Sequence, residues 1–242
     1  MRKLWLVLSL LVLGLPVLGY GAGLLDQAQQ MLSPASQGGP DNATIVSGLK
    51  EALSVATGDA VQAVGKTDGY FSNQAIKILM PEKIRTVAEV AGKLGFQKEV
   101  DDFVLSMNRA AEHAAPKAKE YFVEAVKQMT FADANKILNG GDTAATEYFK
   151  AKTYDKLYAA FEPDVSASMN EVGVTRSYKA MMDKYQAVPF MKSESLDLDR
   201  YVTQKSLDGL FIMVGQEEKK IRTNPAAQVT DLLKQVFSKA GQ

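Results

Sequence analysis

The sequence predicts an all-α fold, a compact multi-helix bundle of about nine helices with at most one very short strand. Three observations carry that expectation. From Asn42 onward apolar residues recur at intervals of three and four, the repeat that places side chains on one face of a helix. Proline and glycine fall between these stripes, where helices start and stop. Hydrophobic residues make up 46% of the chain and charged residues 23%, enough apolar surface to build a shared interior.

In chain order, the first stripe is Ile45, Leu49, Leu53, Ala56, Ala60 and Val64, which predicts a helix over Asn42 to Val64 broken by Thr67-Asp68-Gly69. Ala75 to Met80 (AIKILM) is the one plausible strand. Pro81 suits a first helical turn, where its missing N–H costs nothing, and Gly95 suits the end of that helix. Val100, Phe103, Val104, Met107, Ala110, Ala111 and Ala114 form the most regular stripe. Pro116 opens the next helix, with Ala118, Tyr121, Phe122, Ala125, Val126 and Met129 inward, so the two should meet as an antiparallel hairpin or at a sharp angle.

Thr130-Phe-Ala-Asp133 reads as a capping box for a short helix that ends at Asn139-Gly140-Gly141. Asp142 or Thr143 caps the following helix, whose stripe of Tyr154, Leu157, Tyr158 and Phe161 is expected to stop at Pro163. A further helix is expected from about Val165, carrying Met169 and Val172, and another over Arg176 to Tyr185. Asp197 to Ile221 is long, with Leu207, Leu210, Phe211, Val214 and Ile221 inward. Asn224-Pro225 caps a last helix with Val229, Leu232, Leu233, Val236 and Phe237. Connectors are short and no repeat at a fixed period of about 30–45 residues is present, which favours a bundle over a solenoid.

Residues 1–21 have the pattern of a signal peptide: Arg2 and Lys3, an apolar run of 15 residues from Leu4 to Leu18, then Gly19-Tyr20-Gly21-Ala22. The run is interrupted by Gly14 and Pro16 and falls short of the roughly 20 residues of a spanning helix, so cleavage and a periplasmic location are expected, with an uncleaved membrane anchor as the alternative. Residues 22–40, rich in Ser, Pro and Gly after Leu32, read as a linker, and residues 41–242 as one helical domain without a transmembrane segment.

Lysine plus arginine and aspartate plus glutamate both number 28, and the formal net charge is zero. A nucleic-acid partner is not expected, because phosphate binding normally shows as a basic excess. The chain has no cysteine, which excludes disulfides, thiolate metal sites and cysteine nucleophiles.

Four motifs invite a chemical reading. Ala60 to Thr67 matches a loosened phosphate loop, but such a loop needs a strand before the glycines and a helix after them, and here the helix comes first. Gly65 reads instead as a helix C-cap. His113, the sole histidine, lies in the last turn before Pro116, where the helix dipole suits it, and no Gly-x-Ser-x-Gly elbow accompanies it. The pairs Asp101-Asp102 and Glu217-Glu218 point about 100° apart on a helix and read as solvated faces; no metal and no cofactor is expected. Asn108, Arg109 and Glu112 are the most interesting polar group: Arg109 can reach Glu112 and also Asp102, either as a structural ion-pair network or as the polar rim of a pocket. Lys219, Lys220 and Arg222 read as complements to a helix C-terminus.

Gly48-Leu-Lys-Glu-Ala-Leu53, Asp101-Asp-Phe103, Ser106-Met-Asn-Arg-Ala-Ala-Glu112, Leu138-Asn-Gly-Gly-Asp142, Val172-Gly-Val-Thr-Arg176 and Leu207-Asp-Gly-Leu-Phe211 together resemble the DUF4197 family, a bacterial domain of unknown function found behind signal peptides. The resemblance spans about Asp41 to Phe237 and implies a Gram-negative envelope location, with no activity or catalytic residue to carry over.

The functional expectation is a non-enzymatic envelope protein that binds a protein partner or small ligand in an inter-helix groove, with Asn108, Arg109, Glu112, Asn139, Asp142, Arg176 and Asp208 as candidate contacts. The alternatives are a hydrolase or lyase using carboxylate acid–base chemistry at Glu112 or Asp208, and an apolar-ligand carrier. The first predicts a shallow groove with exposed apolar residues and no buried unpaired carboxylate. The second needs an enclosed cleft where titratable groups converge. The third needs a closed apolar cavity of at least about 300 Å³.

Overall fold

The structure is a computed structural model that describes residues 42–186 and 197–223. Its elements are α1 (Asn42–Gly65), α2 (Glu82–Ala91), α3 (Gln97–Ala114), α4 (Ala118–Gln128), α5 (Phe131–Leu138), α6 (Ala144–Val172), α7 (Val174–Gln186) and α8 (Leu198–Thr223). A wider helical turn at Gly92–Phe96 joins α2 to α3, and a single tight turn at Ala115–Lys117 joins α3 to α4. The fold is all-α, and no strand occurs among the described residues.

Local chemistry accounts for most of the boundaries. Gly95 adopts φ +90° between α2 and α3, a conformation that only glycine takes without strain. Gly173, at φ +82°, ends α6 in the left-handed conformation. At Thr130 both halves of the capping box form: the Asp133 N–H donates to the Thr130 hydroxyl oxygen at 3.1 Å, and the Thr130 N–H donates to the Asp133 carboxylate at 3.0 Å. Those bonds to Thr130 hold the Asp133 carboxyl below the usual carboxylate range.

Three expectations need correction. Helices number fewer than nine among the described residues, chiefly because α6 runs unbroken through Pro163. Both Pro163 and Ala159, whose carbonyl lacks its usual donor, lie on the exposed side, where solvent can reach what the missing N–H leaves open. The last expected helix, over 224–237, lies outside the described residues. Ala75 to Met80 forms no strand; it makes turns and then has no regular structure, held by side chains of other elements. Of the two arrangements expected for α3 and α4, the hairpin does not form: α3 packs mainly on α6 and α7 while α4 packs on α1 and α6.

At the centre lies α6, in contact with α3, α4, α5, α7 and α8. Its buried residues Ala145, Phe149, Thr153, Leu157, Phe161, Val165 and Met169 fall at every fourth position. With 3.6 residues per turn each such step advances the stripe by about 40°, so the buried face winds around the helix and meets different partners along its length. At one end of this core the Phe122 ring meets Phe149 and Phe211 edge-on, with centroids 5.4 and 6.0 Å apart. Phe211 thereby fixes α8 against α4 and α6.

Candidate functional site

Asn108, Arg109 and Glu112 come together as the sequence suggested, and their partners are backbone and side-chain groups of the 66–81 connector. Asn108 is wholly buried. Its amide oxygen accepts from the Ile78 N–H at 2.8 Å, and its amide nitrogen donates to the Ile78 and Val104 carbonyls at the same distance. One Asn side chain thus supplies the pairing that a neighbouring strand would have given Ile78. The Glu112 carboxylate accepts from the N–H groups of Tyr70 at 3.0 Å and Phe71 at 3.1 Å, and its second oxygen from Arg109 at 2.6 Å. The other partner of Arg109 is Asp68 at 2.7 Å, rather than Asp102, which pairs with Lys98. Asp68 itself sits at φ +65° where the chain reverses after α1. Three side chains of α3 therefore hold the connector, and the connector runs on to α8. There the buried Tyr70 hydroxyl donates to the Ser206 carbonyl at 2.5 Å. Burial first, then the negative charges of Glu112 and Asp208, push the Tyr70 phenol far above its ordinary range.

A second buried carboxylate was missed in the sequence. Glu218, expected on a solvated face, is 3% exposed. It accepts from the Ala145 and Thr146 N–H groups at 2.9 and 2.8 Å and from the Thr146 hydroxyl at 2.7 Å, so it caps the N-terminus of α6 from α8. Arg222 pairs with Glu218 at 2.9 Å and donates at 2.8 Å to the Ile137 carbonyl at the C-terminus of α5, which also accepts from the Gly140 N–H at 3.2 Å. Its role is therefore between helices, not at the end of its own.

Between these clamped elements lies an open groove of about 670 Å³. One wall is α8, another the N-terminal part of α6, and the third the connector near Ile76. The floor is apolar: Ile76, Gly209, Phe211 and Ile212, of which Ile212 is 44% exposed. Gly209 is required there, because a Cβ would stand 2.6 Å from the Tyr70 ring and 3.1 Å from the Ile76 Cβ. Around the floor stand Lys77, Lys150, Lys205 and Lys219. Among the described residues Asp208 is the one carboxylate in the lining; it is about half exposed and 3.8 Å from Lys205. A second depression, of about 700 Å³ between α1 and Pro116, carries Asp59 against Lys66 and Lys119 and has no comparable ring of charge.

Of the remaining sequence candidates, Asp142 stands exposed at the edge of the groove, 4.0 Å from Lys219. Asn139 caps α5 and donates to the Asn135 carbonyl, and Arg176 is exposed in the first turn of α7. Neither lines the groove. Gly65 ends α1 as read, and His113 is exposed in the last turn of α3. The groove residues did leave one signal. Lys205, Asp208, Ile212 and Lys219 recur at helical spacing on the side of α8 opposite its apolar stripe, and a lone isoleucine on a charged face marks surface that is not simply solvated. Lys77 and Lys150, on other elements, left none.

The family model for DUF4197, a protein of unknown function, matches residues 39–238. The chain belongs to the DUF4197 family. No curated protein and no solved structure matches it. Among the described residues of this DUF4197 chain no helix is long and apolar enough to cross a membrane, and no group of three or more His, Asp or Glu side chains is placed to hold a metal ion.

Proposed function

We propose that this protein is a non-enzymatic, exported binding protein of the cell envelope that holds a small ligand in the groove between α6 and α8. The observation that carries the reading is the groove itself, an apolar floor with an exposed isoleucine inside a polar rim, of a volume ordinary for small-molecule sites. Its walls are fixed by buried hydrogen bonds through Glu218 and Tyr70, so the site is largely formed before a ligand arrives. Two further points favour binding over catalysis. Both buried carboxylates, Glu112 and Glu218, are fully engaged by backbone N–H groups and a guanidinium. The groove carboxylate, Asp208, is about half exposed beside Lys205 and lies in no enclosed cleft where titratable groups converge. The groove is also open, unlike the sealed cavity of an apolar-ligand carrier. Export is supported by Arg2, Lys3 and the apolar run from Leu4 to Leu18.

Native mass spectrometry of the protein drawn from the periplasm tests this. The expected result is a discrete added mass on the wild type that is absent from Ile212→Asp. An added mass that survives Ile212→Asp places the ligand elsewhere, and wild-type protein without one, coupled with turnover of a substrate, would replace the binding reading with a catalytic one.

A further inference from the structure

We infer that the ligand of this groove is a single-chain anionic amphiphile, an acyl or alkyl chain ending in a carboxylate or phosphate. The inference rests on the groove being a binding site and adds the class of molecule it selects.

The argument begins with charge. The chain as a whole is balanced, with 28 basic and 28 acidic residues. Yet among the described residues the lining of this groove gathers four lysines against Asp208 alone, three positive charges in excess, or two when Asp142 at the edge is counted. Like charges gathered on one rim repel one another, and a binding partner of opposite sign relieves that repulsion. Among the described residues none of the four lysines donates a hydrogen bond to a protein acceptor. Lys205 and Lys219 reach their carboxylates only at 3.8 and 4.0 Å, while Lys77 and Lys150 lie over the rings of Phe71 and Tyr154 at 4.0 and 5.7 Å. Their ammonium donors are therefore available to a ligand.

The second half of the argument is the floor. Ile76, Phe211 and Ile212 offer an apolar strip beneath those lysines, and a small hydrophilic anion would leave it wet. A ligand that satisfies both has a charged head at the rim and an alkyl chain along the strip. The α6 N-terminus adds no further anion site, because Glu218 already takes its Ala145 and Thr146 N–H groups. The head is left to the lysines.

Isothermal titration of the purified protein, produced from the full chain, tests the inference with dodecyl phosphate, dodecyltrimethylammonium, decanol and inorganic phosphate, each below its aggregation limit. Dodecyl phosphate should bind about tenfold or more tightly than the cationic or neutral probe, and Lys150→Gln combined with Lys205→Gln should remove that preference while leaving decanol binding unchanged. Equal affinity for all three alkyl probes would overturn the headgroup assignment and leave the groove reading standing. Inorganic phosphate binding as tightly as dodecyl phosphate would overturn the alkyl part. Binding to phosphatidylglycerol vesicles without binding monomeric dodecyl phosphate would mean adsorption to a membrane surface instead. If no alkyl probe binds wild type, and Ile212→Asp changes nothing, the groove reading itself falls.

Discussion

Glu112 shows how a charged side chain with 2% of its surface exposed can serve the backbone alone. Two N–H groups and one guanidinium fill its oxygens, and Glu112→Ala would leave the Tyr70 and Phe71 N–H groups without an acceptor and Arg109 with Asp68 alone, in a site that water reaches poorly. The expected loss is about 3 kcal/mol, read as a lower urea midpoint with an unchanged slope. Tyr70 gives a second test, and its sign follows from linkage. Its phenol is held neutral by burial, whereas the unfolded chain ionises it near pH 10, so the unfolded state binds fewer protons above that point. The contribution is whole below pH ~10 and is lost as pH rises toward the folded value. Tyr70→Phe should cost about 1 kcal/mol at neutral pH through the lost bond to Ser206. Above pH ~10 its stability should fall less steeply than that of the wild type. Parallel alkaline curves for the two proteins would show that the phenol is not sealed in as described.

At the scale of elements, the ends of helices matter more than their middles. Glu218 and Arg222 stand one turn apart on α8, and the carboxylate meets the positive end of α6 while the guanidinium meets the negative end of α5. Glu218→Ala should therefore loosen the start of α6, at a cost of about 3 kcal/mol and with faster amide exchange at Ala145 and Thr146. Gly209→Ala should cost about 1–3 kcal/mol, because its methyl must displace the Tyr70 ring or Ile76. Most helices were legible in the sequence because their buried residues keep to one face, as in α3. The capping box at Thr130 was legible because both partners lie within one turn. What could not be read was long-range. Whether α6 stops at Pro163 depends on which way the ring faces, and the spacing of Glu218 to Arg222 says nothing about the two helix ends they reach. AIKILM has the composition of a strand, but its only hydrogen-bonding neighbour for Ile78 is an asparagine 30 residues away.

Across the whole molecule, two sets of polar residues divide the work. Asn108, Arg109 and Glu112 fasten the connector, and the connector and Glu218 fasten the walls of a groove whose own side chains are lysines and an exposed isoleucine. The sequence pointed to the first set because polar residues beside an apolar stripe stand out, and buried network residues share that signature with pocket residues. The lysines looked like ordinary surface charge, since only the fold brings Lys77, Lys150, Lys205 and Lys219 around one depression.

That division can be tested in one comparison: the affinity for dodecyl phosphate measured beside the urea midpoint in Glu112→Gln and Ile212→Asp. Glu112→Gln should lower the midpoint while the folded protein binds as tightly as wild type, and Ile212→Asp should keep the midpoint and lose about tenfold or more in affinity. Loss of binding in Glu112→Gln at an unchanged midpoint, with Ile212→Asp binding normally, would place the site at the α3 network and contradict the account.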